Sequence, residues 1–177
     1  FANLRLLYAY MFLHPGAKLM FMGNEFAVTK EWDFQSELQW DLLQYPNHGG
    51  MKYCVQQLNA LYKSHPALYE LQYEASGFEW VELNQRQEGI IAFKRNGKDP
   101  DQAILVVFNM TPVPRHQFPI QVQGKTIWKE IFNSDDQAFW GSGNVKNQNV
   151  PCALLDATNQ LMEIHLELPP LAAVVLK

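Results

Sequence analysis

Along the first seventy-odd residues the apolar positions recur with helical spacing. Leu4, Leu7, Tyr8 and Met11 fall at i, i+3, i+4 and i+7 and predict an amphipathic helix over residues 1–13. His14-Pro15-Gly16 stops it, because Pro cannot continue a helix and Gly suits the turn. Residues 18–22 form a short apolar run between Gly16 and Gly23. That pattern predicts a strand buried on both faces, as in a parallel sheet. Residues 24–50 read as a long polar and aromatic loop. Met51, Val55, Leu58 and Tyr62 restore the helical spacing until His65-Pro66. Helix, buried strand, loop and helix make an α/β signature, and it occurs once.

From residue 78 onward the rhythm shortens to that of strands. Runs at 78–83, 89–95, 103–109, 117–122, 127–132, 161–168 and 171–176 are rich in β-formers, with turn signals such as Asn96-Gly97 and Asp99-Pro100 between them. Leu161, Glu163, His165 and Glu167 alternate with Met162, Ile164, Leu166 and Leu168, as a strand with one buried face requires. Several short strands with punctuating turns predict a β-sandwich. Residues 133–158, rich in Asn, Gly, Asp and Gln, read as an irregular excursion. The boundary between the two textures lies at 70–77. No internal repeat is present.

Charge and composition narrow the class. The net charge of -4 offers no basic excess for nucleic acid or anionic lipid, so neither is expected as a partner. No apolar run reaches the roughly 18 residues of a membrane span. Cys54 and Cys152 have no metal or redox spacing and read as free thiols of a reducing, cytoplasmic compartment. No phosphate loop, zinc spacing or nucleophile elbow appears, so no cofactor and no metal are expected. The chain starts with Phe and lacks a charged leader, so it is expected to begin inside a longer protein.

Candidate chemistry concentrates in loop 24–50. It carries Glu25, Glu31, Asp33, Glu37 and Asp41 beside Phe26, Trp32, Phe34, Trp40 and Tyr45. Carboxylates beside aromatics suit carbohydrate, since rings stack on sugar C–H faces and carboxylates accept from hydroxyls. The alternative is solvated charge around aromatics that hold the loop together. Glu25 follows the predicted strand directly. His48 is a candidate base, although a lone loop His usually serves structure. Gly141-Ser142-Gly143-Asn144, preceded by Phe139 and Trp140, is a candidate second sugar-contacting edge, or else a loop folding its aromatics inward. Asn109-Met110-Thr111 matches the glycosylation sequon, here expected by chance.

Longer strings are more specific in combination. Phe1-Ala2-Asn3-Leu4-Arg5, Lys18-Leu19-Met20-Phe21-Met22-Gly23-Asn24-Glu25-Phe26, Glu31-Trp32, Leu38-Gln39-Trp40, Pro66-Ala67-Leu68-Tyr69-Glu70-Leu71 and Gly77-Phe78-Glu79-Trp80 occur in order. Asn109-Met110-Thr111-Pro112, Glu130-Ile131-Phe132-Asn133-Ser134-Asp135 and Leu168-Pro169-Pro170-Leu171-Ala172 follow. Together they resemble the glycogen (1,4-α-glucan) branching enzymes of the α-amylase superfamily across nearly the whole chain. The resemblance implies a parent that cleaves an α-1,4 glucan and transfers the piece to a 6-hydroxyl through a covalent glycosyl-enzyme, with retention. It implies residues 1–70 as the end of a catalytic (β/α)8 TIM barrel and 71–177 as a C-terminal β-sandwich. It places all three catalytic carboxylates upstream, so none is expected here and the chain alone should be inactive. Glu25 matches the family's acidic position after the eighth strand. With Trp32 it is expected to border a cleft for glycogen or amylose. Residues 139–144 depart from the family's fuller Gly/Ser/Asn pattern.

Three rivals remain: a stand-alone glucan-binding module, a purely structural domain, and the tail of another α-amylase-superfamily enzyme. On the barrel reading, the front part lacks its neighbours. Residues 1–65 are expected to be mobile or to self-associate through bare edges and exposed apolar faces, Leu4, Leu7, Met11, Val55, Leu58 and Tyr62 among them, while 78–177 stays folded.

Overall fold

The computed structural model describes residues 1–83 and 87–177. Among the described residues, two α-helices and nine strands carry the architecture. They are α1 (Ala2–Leu13), α2 (Pro46–Ser64), β1 (Phe78–Glu82), β2 (Ile90–Arg95), β3 (Ile104–Asn109), β4 (Arg115–Gln123), β5 (Ile127–Asn133), β6 (Asn149–Pro151), β7 (Ala153–Asp156), β8 (Leu161–Leu168) and β9 (Ala172–Leu176). The large sheet runs β1-β2-β3-β9-β5-β6 and the small one β4-β8-β7. Every neighbouring pair is antiparallel. The all-β prediction for the C-terminal part holds. The excursion at 133–158 contains two strands, β6 and β7, that the pattern did not reveal.

The large sheet is the middle of three layers. Phe93, Ile104, Val106, Phe108, Ala173 and Val175 meet Leu6, Ala9, Phe12, Leu13, Met51, Val55 and Leu58 of the helices in one core. Leu105, Val107, Val174 and Leu176 point the other way, to Ile120, Val122, Ile164 and Leu166 of the small sheet. Alternate residues of β3 therefore face two different apolar layers, and all six are buried. That is why β3 reads as a continuous apolar run, whereas β8, covered on one face, alternates as expected.

Two expectations fail in the front part. Residues 18–22 form no strand. A strand needs backbone partners, and the described residues place no other strand beside this run, so Leu19 stays 84% exposed. The end of a parallel barrel is thus not formed by the chain alone; its architecture is all-β with two covering helices. The apolar stripe of α1 is also turned from its predicted face. Leu7 is 58% exposed, while Leu6, Tyr8, Ala9, Phe12 and Leu13 are buried. On α2 Met51, Val55 and Leu58 follow the predicted spacing, but Val55 and Leu58 are buried in one core with the sheet rather than left exposed as a severed barrel end would leave them. Pro46 at its first turn removes an N–H that would have lacked a partner.

Two buried arginines pin the helices to the sheet. Arg95 on β2 is fully buried and donates to three backbone carbonyls: Leu13 O at 2.6 Å, Leu68 O at 3.0 Å and Gly77 O at 3.4 Å. It thereby meets an orphan carbonyl at the C-terminus of α1. Burial pushes the guanidinium down to about 10, so it stays charged at neutral pH. Arg5 near the other end of α1 donates to Ser134 O at 2.7 Å and faces Asp135 at 3.5 Å. At Gly50, α2 passes so close to the 139–140 turn that a Cβ would sit 2.8 Å from the Phe139 carbonyl carbon.

Candidate functional site

Residues 14–45 hold no regular element beyond single 3-10 turns at Asn24–Phe26 and Trp40–Gln44. Local polar bonds keep them in place. Gln39 Oε1 accepts from Thr29 N at 2.9 Å and Lys30 N at 3.0 Å. Asp33 accepts from Gln35 N and Ser36 N at 3.2 Å each and from the Ser36 hydroxyl. The Ser36 hydroxyl bond, above all, holds the Asp33 carboxyl below its usual range. This is an Asx turn, for which Asp-x-x-Ser is the sequence signal.

On this frame Trp32 lies flat against Phe21, with ring centroids 4.2 Å apart and planes 6° from parallel. Phe34 meets Trp32 edge-on at 6.5 Å. Trp32 is 68% exposed, far more than a packing residue requires. Trp32, Phe21, Asp33, Ser36 and Glu37 line a groove of only about 50 Å³, one wall of a site rather than a pocket. The arrangement suits a sugar ring: a flat apolar platform beside acceptors for hydroxyls.

The sequence-derived residues separate here. Trp32 lies in the groove wall. Glu25 sits on the Asn24–Phe26 turn and does not line the groove. Its charge acts on Tyr8, whose phenol is pushed up by burial and by Glu25. Phe21, read from sequence as an interior strand residue, is the partner that completes the platform; its place beside exposed aromatics could have been suspected only from three dimensions. His48 is buried, with Nδ1 2.8 Å from Phe26 O, and joins α2 to the 24–26 turn. It is a structural tie rather than a base.

The other motifs resolve as follows. Phe139 is buried and Trp140 is half-exposed in a left-handed conformation, φ 61°. Asp135 gathers the loop behind them, accepting from Ser142 N at 3.0 Å while its carbonyl accepts from Gly143 N at 2.8 Å. Asn109 of the sequon is buried and donates to Val113 O and Pro169 O, so it offers nothing for modification. Both cysteines are free, and burial pushes the Cys54 thiol up to about 12. Among the described residues, no His/Cys/Asp/Glu group could hold a metal and no helix is long and apolar enough to cross a membrane.

Comparison with known proteins adds the following. Residues 80–177 match the family described as the alpha amylase, C-terminal all-beta domain. Over all 177 residues the chain is 41% identical to the 1,4-alpha-glucan branching enzyme GlgB of Aquifex aeolicus, spanning 28% of that protein. It is 43% identical over 176 residues to the enzyme of the same name from Oceanobacillus iheyensis, 99% of this chain and again 28% of the relative. The chain thus spans little more than a quarter of the length of these relatives. Among solved structures, a debranching enzyme from Nostoc punctiforme shares the fold at TM-score 0.61 and 14% identity, over 99% of this chain and 30% of that one. Ttha1563 of Thermus thermophilus does so at 0.61 and 19%, over 99% and 31%.

Proposed function

The chain belongs to the family of alpha-amylase C-terminal all-beta domains, and from that premise we propose that its parent is a 1,4-α-glucan branching enzyme making α-1,6 branches in glycogen. The observation that carries this is the unbroken identity of about 40% across both the helical front and the sandwich to proteins of that name. A sandwich match alone would fit any α-amylase relative.

On this reading, residues 1–70 are the end of the catalytic barrel and 71–177 the sandwich that supports it. The run at 18–22, which lacks strand partners here, becomes a barrel strand once flanking strands of the parent supply its ladder. Trp32 and Phe21 then face the glucan cleft as a stacking platform, Asp33 and Glu37 accept from hydroxyls, and Glu25 borders the cleft from the turn after that strand. The transfer is a retaining one whose nucleophile and acid/base belong to the parent's other segments. This chain contributes binding and orientation.

The test compares the full-length parent with the 177-residue chain on amylose, following iodine staining and reducing ends. The parent should branch and the chain alone should do neither. Trp32→Ala in the parent should lower activity roughly ten- to a hundredfold without unfolding it. Turnover by the chain alone, or a parent that only hydrolyses, would overturn the reading. Unchanged kinetics for Trp32→Ala would assign that ring to loop packing.

A further inference from the structure

The segment that presents Trp32 is built without a ladder. Among the described residues, the backbone of 29–37 makes no main-chain-to-main-chain hydrogen bond. Side chains meet its N–H groups instead: Asp33 those of Gln35 and Ser36, Gln39 those of Thr29 and Lys30. The Asp33 bonds stay within the tip of the loop. The Gln39 bonds close its base, because they reach back across the whole excursion to the residues just before Trp32.

One atom makes that closure. Gln39 Oε1 accepts from Thr29 N at 2.9 Å, Lys30 N at 3.0 Å and the Thr29 hydroxyl at 3.2 Å. Three donors converging on one position require the amide oxygen there and turn the nitrogen away. Lys30 N stands two residues before Trp32, so this bond sets where the chain carries the indole over Phe21. Without it, the stack at 4.2 Å would have to order the loop alone.

Gln39 is itself anchored. Its main-chain carbonyl accepts from Leu42 N at 3.0 Å, at the start of the Trp40–Gln44 turn. The next ring, Trp40, stacks on Phe26 at 5.3 Å with planes 22° apart, and Phe26 is fully buried. The Phe26 carbonyl lies 2.8 Å from His48 Nδ1 on α2. A line of direct contacts therefore runs from the packed helix through His48, Phe26 and Trp40 to Gln39, and from Gln39 to the backbone that carries Trp32.

We propose that Gln39 is a positioning residue for glucan binding: its side-chain carbonyl clamps Thr29 and Lys30 so that the Trp32–Phe21 platform is held ready for a sugar ring. The proposal rests on the platform reading given above and adds the group that sets it. The rival role is direct contact, since Gln39 lines the groove and all its side-chain bonds among the described residues use the oxygen, leaving the amide nitrogen for a hydroxyl.

Two substitutions separate these roles. Gln39→Met keeps the length and removes the acceptor; Gln39→Glu keeps the acceptor and removes the amide donor. In the full-length parent on amylose, Gln39→Met should raise KM roughly three- to tenfold with kcat nearly unchanged, and Gln39→Glu should stay within about twofold of wild type. In a Trp32→Ala background, Gln39→Met should add nothing further, because it acts through that ring. Lys30, whose side chain is 55% exposed, gives a readout without sugar. Trypsin should cut after Lys30 roughly fivefold faster in Gln39→Met and no faster in Gln39→Glu. An unchanged KM in Gln39→Met, an equal loss in Gln39→Glu, or a full Gln39→Met effect in the Trp32→Ala background overturns the positioning role. Unaltered cleavage after Lys30 overturns the clamp and leaves the platform standing. Wild-type kinetics for Trp32→Ala removes the platform and with it Gln39's part in binding, whatever the protease shows.

Discussion

Leu19-Met20-Phe21-Met22 and Ile104-Leu105-Val106-Val107-Phe108 are both unbroken apolar runs, yet Leu19 is 84% exposed while every residue of β3 is buried. Both are wholly apolar, although 104–108 carries three β-branched residues and 19–22 none. Their neighbours differ entirely. β3 lies between β2 and β9, with helices on one face and the small sheet on the other. The earlier run has no strand beside it among the described residues and joins no ladder. A strand is a property of the ladder it joins, and an apolar run is only an application for membership.

Truncating one side chain in each run gives the largest expected contrast. Phe108→Ala should destabilise the protein by about 3–5 kcal/mol, as expected for a large aromatic removed from a packed core. Leu19→Ala should stay within about 0.5 kcal/mol. Urea unfolding of the two variants measures both; similar losses would mean that the front segment is as firmly built as the sheet.

Next in size is the tie between the two regions. Arg95→Met should cost about 2–4 kcal/mol, because three carbonyls lose a charged donor at once. The loss should be uneven. Amides at the end of α1 and around residue 68 should exchange faster, while those of the β4–β8 pair keep their protection. Uniform loosening would show that Arg95 serves the whole fold rather than this junction.

The smallest effect is pH-dependent. Burial, and secondarily Arg95, push the Lys18 ammonium down to about 8. A base whose folded pKa lies below its unfolded value of about 10.4 binds its proton less tightly in the folded state, so stability rises as pH climbs from about 8 toward 10. Lys18 is only partly buried, so after solvent screening the gain should be about 1 kcal/mol or less. The difference between wild type and Lys18→Met across pH 7–10 isolates it. A flat difference would place the ammonium in water.

How far the sequence reached depends on what each signal needs. β8 was legible to the residue because alternation requires only one covered face. β3 was legible because two covered faces leave no polar position. β6 has three residues and pairs only with the start of β5, so its own composition carries no signal. The face of α1 was misread because nearly every position from Leu6 to Leu13 is apolar; more than one stripe satisfies the spacing, and only the partners choose. Within the candidate site, Trp32 could be found from its company of carboxylates and rings. Phe21 could not, because recognising it required knowing that its ring is left partly in the open beside Trp32.

The Arg95 junction bears on modularity. Its three acceptors come from Leu13, Leu68 and Gly77, all before the first strand. A shortened polypeptide starting at residue 78 would keep every strand yet strand a buried cation with none of its acceptors. Texture divides this chain at 70–77, but cohesion does not, and anyone grafting the sandwich onto another enzyme must carry α1 and the 66–77 segment with it or replace Arg95 by an apolar residue first.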